Sequence, residues 1–197
     1  MSVENLLQGK VVVVSGIGPG LGRSVAVRSA QAGADVVLAA RTESRLTEVA
    51  KEVTDLGRRA VAVRTDIDDE DSAAHLVSEA VEAFGRVDAV VHNAFAVPPL
   101  TDLATVDLDA VRKGFETAGI SVLRLTRLFL PALKESKGSL VMINSAVLRH
   151  SRRTFGAYKL AKSALLSYGD WARTSKVLIS SRGREAKNLL IEAVGGL

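Results

Sequence analysis

Tyr158 and Lys162 stand four residues apart in the stretch "FGAYKLAKSALLSYGDWARTSK". On a helix that spacing puts a phenol and an ammonium on one face, one turn from each other. Upstream, Ser145 closes the apolar run "SLVMINS". These three residue types suit the reduction of a carbonyl. Hydride delivery leaves negative charge on the carbonyl oxygen, which has to be protonated as it forms. A free phenol ionises only near pH 10, and a neighbouring ammonium favours its charged form, so Tyr158 can give and take a proton near neutrality. In this reading Lys162 lowers the phenol pKa and Ser145 donates to the substrate oxygen and orients it. The alternative is plainer: a tyrosine packed in the core, a solvated helix charge and a serine that ends a strand.

A second constellation lies near the start. "VVVVSGIGPGLGRSVA" puts Gly16, Gly18, Gly20 and Gly22 between a β-branched run and a helical pattern. Glycines allow a tight turn and let backbone N–H groups approach a pyrophosphate, and the helix N-terminus adds partial positive charge. The common G-x-G-x-x-G spacing fails at Leu21, and Gly16, Gly20 and Gly22 give G-x-x-x-G-x-G instead. An acidic residue roughly 20 positions on would accept from an adenine ribose. That place holds Ala39 and Ala40, followed by Arg41. A guanidinium suits a 2′-phosphate through charge-assisted hydrogen bonds, so NADP(H) is expected over NAD(H). Glu43 argues the other way, although an acid at a helix start is also explained by the helix dipole.

The elements that must position these groups follow from periodicity. Apolar runs at 11–15, 35–40, 60–65, 87–92 and 139–145 suit strands buried on both faces. Between them, Leu46, Val49, Ala50, Val53 and Leu56 form one helical stripe, and Ala73, Val77, Ala80, Val81 and Phe84 another. Residues 101–136 are expected to hold two helices, the second ending near Pro131 and "KESKG", and 154–171 one more. Right-handed crossovers then give a doubly wound α/β fold with a parallel sheet. In the tail, "KVLISS" reads as a sixth strand and "REAKNLLIEAV" as a short amphipathic helix.

Taken together the chain resembles a short-chain dehydrogenase/reductase from residue 8 to about residue 167. The resemblance rests on the glycine turn, "TDID" after the third run, "HNA" after the fourth, and a serine followed by Y-x-x-x-K. It implies a single Rossmann-like domain over 1–170, with strand order reversing after the first three strands and a divergent tail over 171–197. It implies a cofactor site at Gly16, Gly20, Leu21, Gly22 and Arg41. Asp66 and Ile67 would meet the adenine, Asn93 and Ala94 would hold the loop beside the ribose, and Tyr158 and Lys162 would face the nicotinamide end. Ser145, Tyr158 and Lys162 would be catalytic, with Lys162 also holding the nicotinamide ribose.

Three departures stand out. Phe95 replaces the glycine of the family's N-N-A-G, which narrows the nicotinamide pocket. The asparagine that bends the helix before Pro131 and holds a relay water is absent, with Ala118 at its place and Thr117 as a candidate substitute. After about Ser167 the family pattern stops, Arg182 and Gly183 stand where Pro-Gly would begin, and the C-terminal lobe is incomplete. Such an ending resembles a frame change, a truncated product or a divergent isoform. A nucleotide-binding or partner-binding protein without turnover is therefore the alternative to an enzyme, and a nonfunctional truncated product a third reading.

Composition narrows the classes further. At 197 residues, with 47% hydrophobic and 24% charged content, the chain suits one globular domain. The start has no signal-peptide pattern and no apolar run is long enough to cross a bilayer, so a cytoplasmic protein is expected. Zero cysteines exclude disulfides and thiolate chemistry, and His75, His92 and His150 lack metal-ligand spacing, so no metal is expected. The net charge is +4. The excess gathers after Trp171 and in "RHSRR", and with 4% aromatic content it points to a solvated surface and not to nucleic acid. Arg149, Arg152 and Arg153 lie in the stretch that borders the substrate in the resembled family, where they would suit an anionic substrate. The resemblance also implies a homo-oligomer paired through 101–136 and the helix bearing Tyr158.

Overall fold

Valines at four consecutive positions, Val11 to Val14, are all buried because each face of their strand meets a different layer of helices. Successive side chains of a strand point to opposite faces. Val12 and Val14 pack with Val25, Ala26, Leu46 and Val49 on one side. Val11 and Val13 pack with Ala73, Leu76, Leu125 and Phe129 on the other. Each such side chain contributes roughly 1.5–3 kcal/mol when fully buried, so the sheet is held from both sides.

The computed structural model describes residues 5–149, 152–171 and 175–180, with 169–171 and 175–180 described by their backbone alone. The strands are β1 (Val11–Ser15), β2 (Asp35–Ala40), β3 (Ala60–Arg64), β4 (Ala89–His92), β5 (Ser139–Ser145) and β6 (Ser175–Ser180). All neighbours pair in parallel, in the order β3-β2-β1-β4-β5-β6. The order reverses after the first three strands, as expected, and puts the switch point at the carboxyl ends of β1 and β4, from which the chain leaves to opposite faces of the sheet. The helices are α1 (Leu21–Gln31), α2 (Glu43–Asp55), α3 (Glu70–Phe84), α4 (Leu108–Phe115), α5 (Val122–Ser136) and α6 (Gly156–Trp171).

Several expectations are corrected. The run at 87–92 forms a strand only from Ala89, because Asp88 is turned to Val11 N–H and to Arg86 at the strand's mouth. The run at 60–65 ends one residue early, at Arg64. In α3 Ala73 and Ala80 are buried as expected, Leu76, outside the expected stripe, is buried with them, and Val81 is exposed. The helix expected to end near Pro131 and "KESKG" does so at Ser136, five residues past the proline. It runs through Pro131 because Phe129 and Leu133 on either side are buried, and Lys137, with φ 53°, turns the chain out. Between α4 and α5, Glu116–Ser121 is one π-helical segment, so 101–136 holds a continuous helical run with a wide turn in the middle. The sixth strand is shifted by one residue from "KVLISS". The expected tail helix and Arg182–Gly183 lie outside the described residues.

Candidate active site

The crevice is built around a turn that only glycine permits at two points. Gly16 has φ 86°, and a Cβ there would sit 2.4 Å from the backbone nitrogen of Ala94. A Cβ on Gly22 would sit 2.2 Å from the Gly16 carbonyl oxygen. The β1 turn, the start of α1 and the loop after β4 are thus pressed together, and Asn93 Nδ2 fastens them by donating to the Gly16 carbonyl at 2.7 Å. Gly18 and Gly20, by contrast, look onto open space. The first turn of α1 carries no acid, which leaves its positive end for an anion.

A cleft of about 320 Å³ opens from this turn toward the ends of β2 and β3. Of the sequence-predicted residues, Gly16, Arg41, Asp66, Ile67, Asn93 and Ala94 line it. Gly20, Leu21 and Gly22 begin α1 beside Gly16 without lining the cleft. Arg41 is exposed and makes no hydrogen bond or ion pair among the described residues, and Glu43 does not engage it. The Asp66 carboxylate accepts from Asp68 N–H and so shapes the loop after β3.

Ser145, Tyr158 and Lys162 lie at the other end, outside the cleft lining. Helix α6 is bound to the end of β5 by two hydrogen bonds. Lys162 Nζ donates to the Ile143 carbonyl at 2.9 Å, and Asn144 Nδ2 donates to the Lys162 carbonyl at 3.1 Å. Asn144 Oδ1 also accepts from Ser145 N–H at 2.8 Å, so one side chain positions both the serine and the lysine. Lys162 is 5% exposed, and burial lowers its pKa from 10.5 to about 8. Between the two ends stands Phe95. Its ring lies under the Lys162 ammonium, 4.1 Å from centroid to Nζ, and 5.5 Å from the Tyr158 ring. The ring thus touches two of the three catalytic candidates.

A match to the short chain dehydrogenase family model runs over residues 10–173. The chain belongs to that family. An uncharacterized oxidoreductase of Mycobacterium tuberculosis is 39% identical over 163 residues, 82% of this chain and 62% of the relative. Among solved structures, carveol dehydrogenase from Mycobacterium avium in complex with NAD has a TM-score of 0.79 at 28% identity, covering 84% of this chain and 65% of that one. A metagenomic short-chain oxidoreductase in complex with NADP has a TM-score of 0.86 at 24% identity, covering 96% and 92%, and shows the shared fold. The chain spans between about half and three fifths of the length of the curated relatives it matches.

A short-chain dehydrogenase implies a nicotinamide dinucleotide, and the two ends of the crevice answer differently to it. The adenosine end fits: Gly16 and Arg41 line one cleft, the start of α1 lies beside it, and the Arg41 guanidinium has no partner among the described residues. The end near Tyr158 is filled by the Phe95 ring. The Thr117 hydroxyl, the candidate substitute for the family's asparagine, donates to Asp68 Oδ2 at 3.0 Å. Ser121 donates to Asp68 Oδ1 at 2.6 Å, and Arg124 reaches the Ile67 and Asp68 carbonyls. Asp68 thus ties the π segment to the cleft, a role hidden in "TDIDDED", where it reads as one of several solvated acids. Of the loop arginines, Arg153 pairs with Asp102 and Arg152 lies over the Phe155 ring. His92 is fully desolvated, which lowers its pKa from 6.5 to about 4; Nε2 meets Thr126 Oγ1 at 2.9 Å and Nδ1 has no partner. Among the described residues no group of three or more His, Cys, Asp or Glu could hold a metal, and no helix is long and apolar enough to cross a membrane.

Proposed function

We propose that this chain is an oxidoreductase that uses NADP(H) on a carbonyl/alcohol pair. The observation that carries the reading is the fastening of α6 to β5 through Lys162 and Asn144, which brings a Tyr-Lys turn and a serine to the carboxyl edge near the cleft lined by Gly16 and Arg41. Arg41, Gly16 and the start of α1 would hold the adenosine phosphates, with Asp66 and Ile67 at the adenine. The cofactor supplies the hydride. Tyr158 Oη gives the proton to the substrate oxygen in reduction and takes it back in oxidation. Ser145 Oγ donates to the same oxygen and orients the carbonyl. Lys162 keeps one donor on the Ile143 carbonyl, and its charge would favour the phenolate of a phenol brought near it.

Specificity for the 2′-phosphate rests on Arg41, since a charge-assisted bond of this kind contributes about 1.5–3 kcal/mol. Recognition of an anionic substrate group would fall to Arg149, the exposed arginine of its loop that has no partner among the described residues. Pairing of two copies would cover Leu108, Ile120 and Leu160, which are exposed on the helices expected to meet.

A titration with NADPH and NADH, followed by a screen of aldehydes and ketones, tests the reading. NADPH is expected to bind about tenfold or more tightly than NADH. Tyr158→Phe is expected to lose roughly 10²–10⁴ in turnover at unchanged cofactor affinity. Equal affinities would remove the Arg41 assignment, and full activity in Tyr158→Phe would remove the acid/base one. The Phe95 ring against Lys162 favours a second reading, a nucleotide-binding protein without turnover; binding with no oxidation or reduction across the screen would select it.

A further inference from the structure

We propose that Phe95 is a plug that divides the cofactor crevice, so that the cleft as it stands takes an adenosine phosphate and admits a whole dinucleotide only when the ring turns out. This rests on the cofactor reading above.

The argument starts from the lining. The cleft runs from Arg41 past Gly16 and Ala94 to Phe95 and stops short of Tyr158 and Lys162. A dinucleotide whose adenosine end lies at Arg41 has to pass Phe95 for its reactive ring to reach the Tyr158 hydroxyl. The passage is closed by contacts that have their own affinity. The Lys162 ammonium uses the Ile143 carbonyl on one side and the Phe95 face on the other, so a ribose hydroxyl cannot occupy that second side while the ring is there. The Phe95 ring is also packed against the Tyr158 ring, 5.5 Å between centroids. Desolvated cation–π contacts are the strong ones, and this ammonium is buried.

The plug is also movable. Phe95 is half-buried and belongs to the irregular segment after β4, outside both main core clusters. Its neighbour Ala94 is held against Gly16, whereas Phe95 reaches the opposite end. Swinging the ring therefore need not disturb the glycine turn. A ligand that requires the open form has its affinity reduced by the fraction of chains that are open.

The test compares whole and half ligands by isothermal titration calorimetry, using the full chain: NADPH against 2′,5′-ADP, and NADH against 5′-ADP. In the unaltered protein the half ligand is expected to bind about as tightly as the whole one. Phe95→Ala is expected to tighten the whole dinucleotide roughly tenfold or more and leave the half ligand unchanged. Phe95→Leu, which keeps apolar bulk without the ring, is expected to fall between and serves if the alanine variant does not fold. A half ligand that binds in both proteins, with the dinucleotide unaltered or weakened by Phe95→Ala, overturns the plug and leaves the cofactor reading standing. Failure of every ligand to bind either protein overturns both. Preference for the unphosphorylated pair removes only Arg41, and the plug is then upheld or overturned by NADH against 5′-ADP.

Discussion

At the level of single residues, Lys162 is an ammonium kept where water hardly reaches it. Its folded pKa is near 8 and its unfolded value near 10.5. Across that window the unfolded chain holds the extra proton, so stability rises with pH there. The difference in unfolding free energy between the natural chain and Lys162→Met is expected to grow by about 3 kcal/mol from pH 8 to pH 10.5. Urea titrations at the two ends of the window measure it, and a constant difference would mean that the amine is solvated. Residue types were readable here from spacing alone, since a phenol and an amine four apart need only a helix to meet one face. Their partners were not, because the Ile143 carbonyl and the Phe95 ring come from β5 and the β4 loop, far away in the chain.

At the level of elements, the glycine turn and the π segment set the two walls of the cleft. Gly22→Ala drives a Cβ into the Gly16 carbonyl and is expected to cost about 1–3 kcal/mol, whereas Gly18→Ala, with nothing within 4 Å, should stay within about 0.5 kcal/mol. Equal costs in thermal unfolding would contradict this close approach. Asp68→Ala strips the buried Thr117 and Ser121 hydroxyls of their acceptor and is expected to cost about 2–4 kcal/mol in urea unfolding. A loss below about 1 kcal/mol would mean that helix carbonyls take over both hydroxyls. β1, β2, β4 and β5 were legible because burial on both faces leaves apolar runs, whereas β3 at the sheet edge has only Val63 buried; α2 was legible because its apolar positions recur at helical spacing. The passage of α5 through Pro131 was not, since a proline's cost of about 3 kcal/mol is outweighed only by burial that the sequence does not display. The π segment had no signal either: "ETAGIS" reads as ordinary helix until Asp68 is brought beside it.

For the molecule as a whole, His92 at the end of β4 stands inside the sheet and is held neutral by burial. Below pH 6.5 the unfolded chain takes up a proton that the folded chain refuses until about pH 4, so stability is present above that window and falls on acidification through it. The natural chain is expected to lose about 3 kcal/mol over that range through this group, a loss missing from His92→Asn. Unfolding curves that stay parallel for the two proteins from pH 7 to pH 4 would exclude it. The strand order has a consequence for how the chain is made. β1 is paired on one side with β4, and the Val11 N–H reaches an acceptor 77 residues further along. A ribosome adding about 5–20 residues per second leaves that edge bare for roughly 4–15 seconds. During synthesis the valine run therefore waits with one backbone edge unpaired, a template for pairing with other chains until β4 emerges.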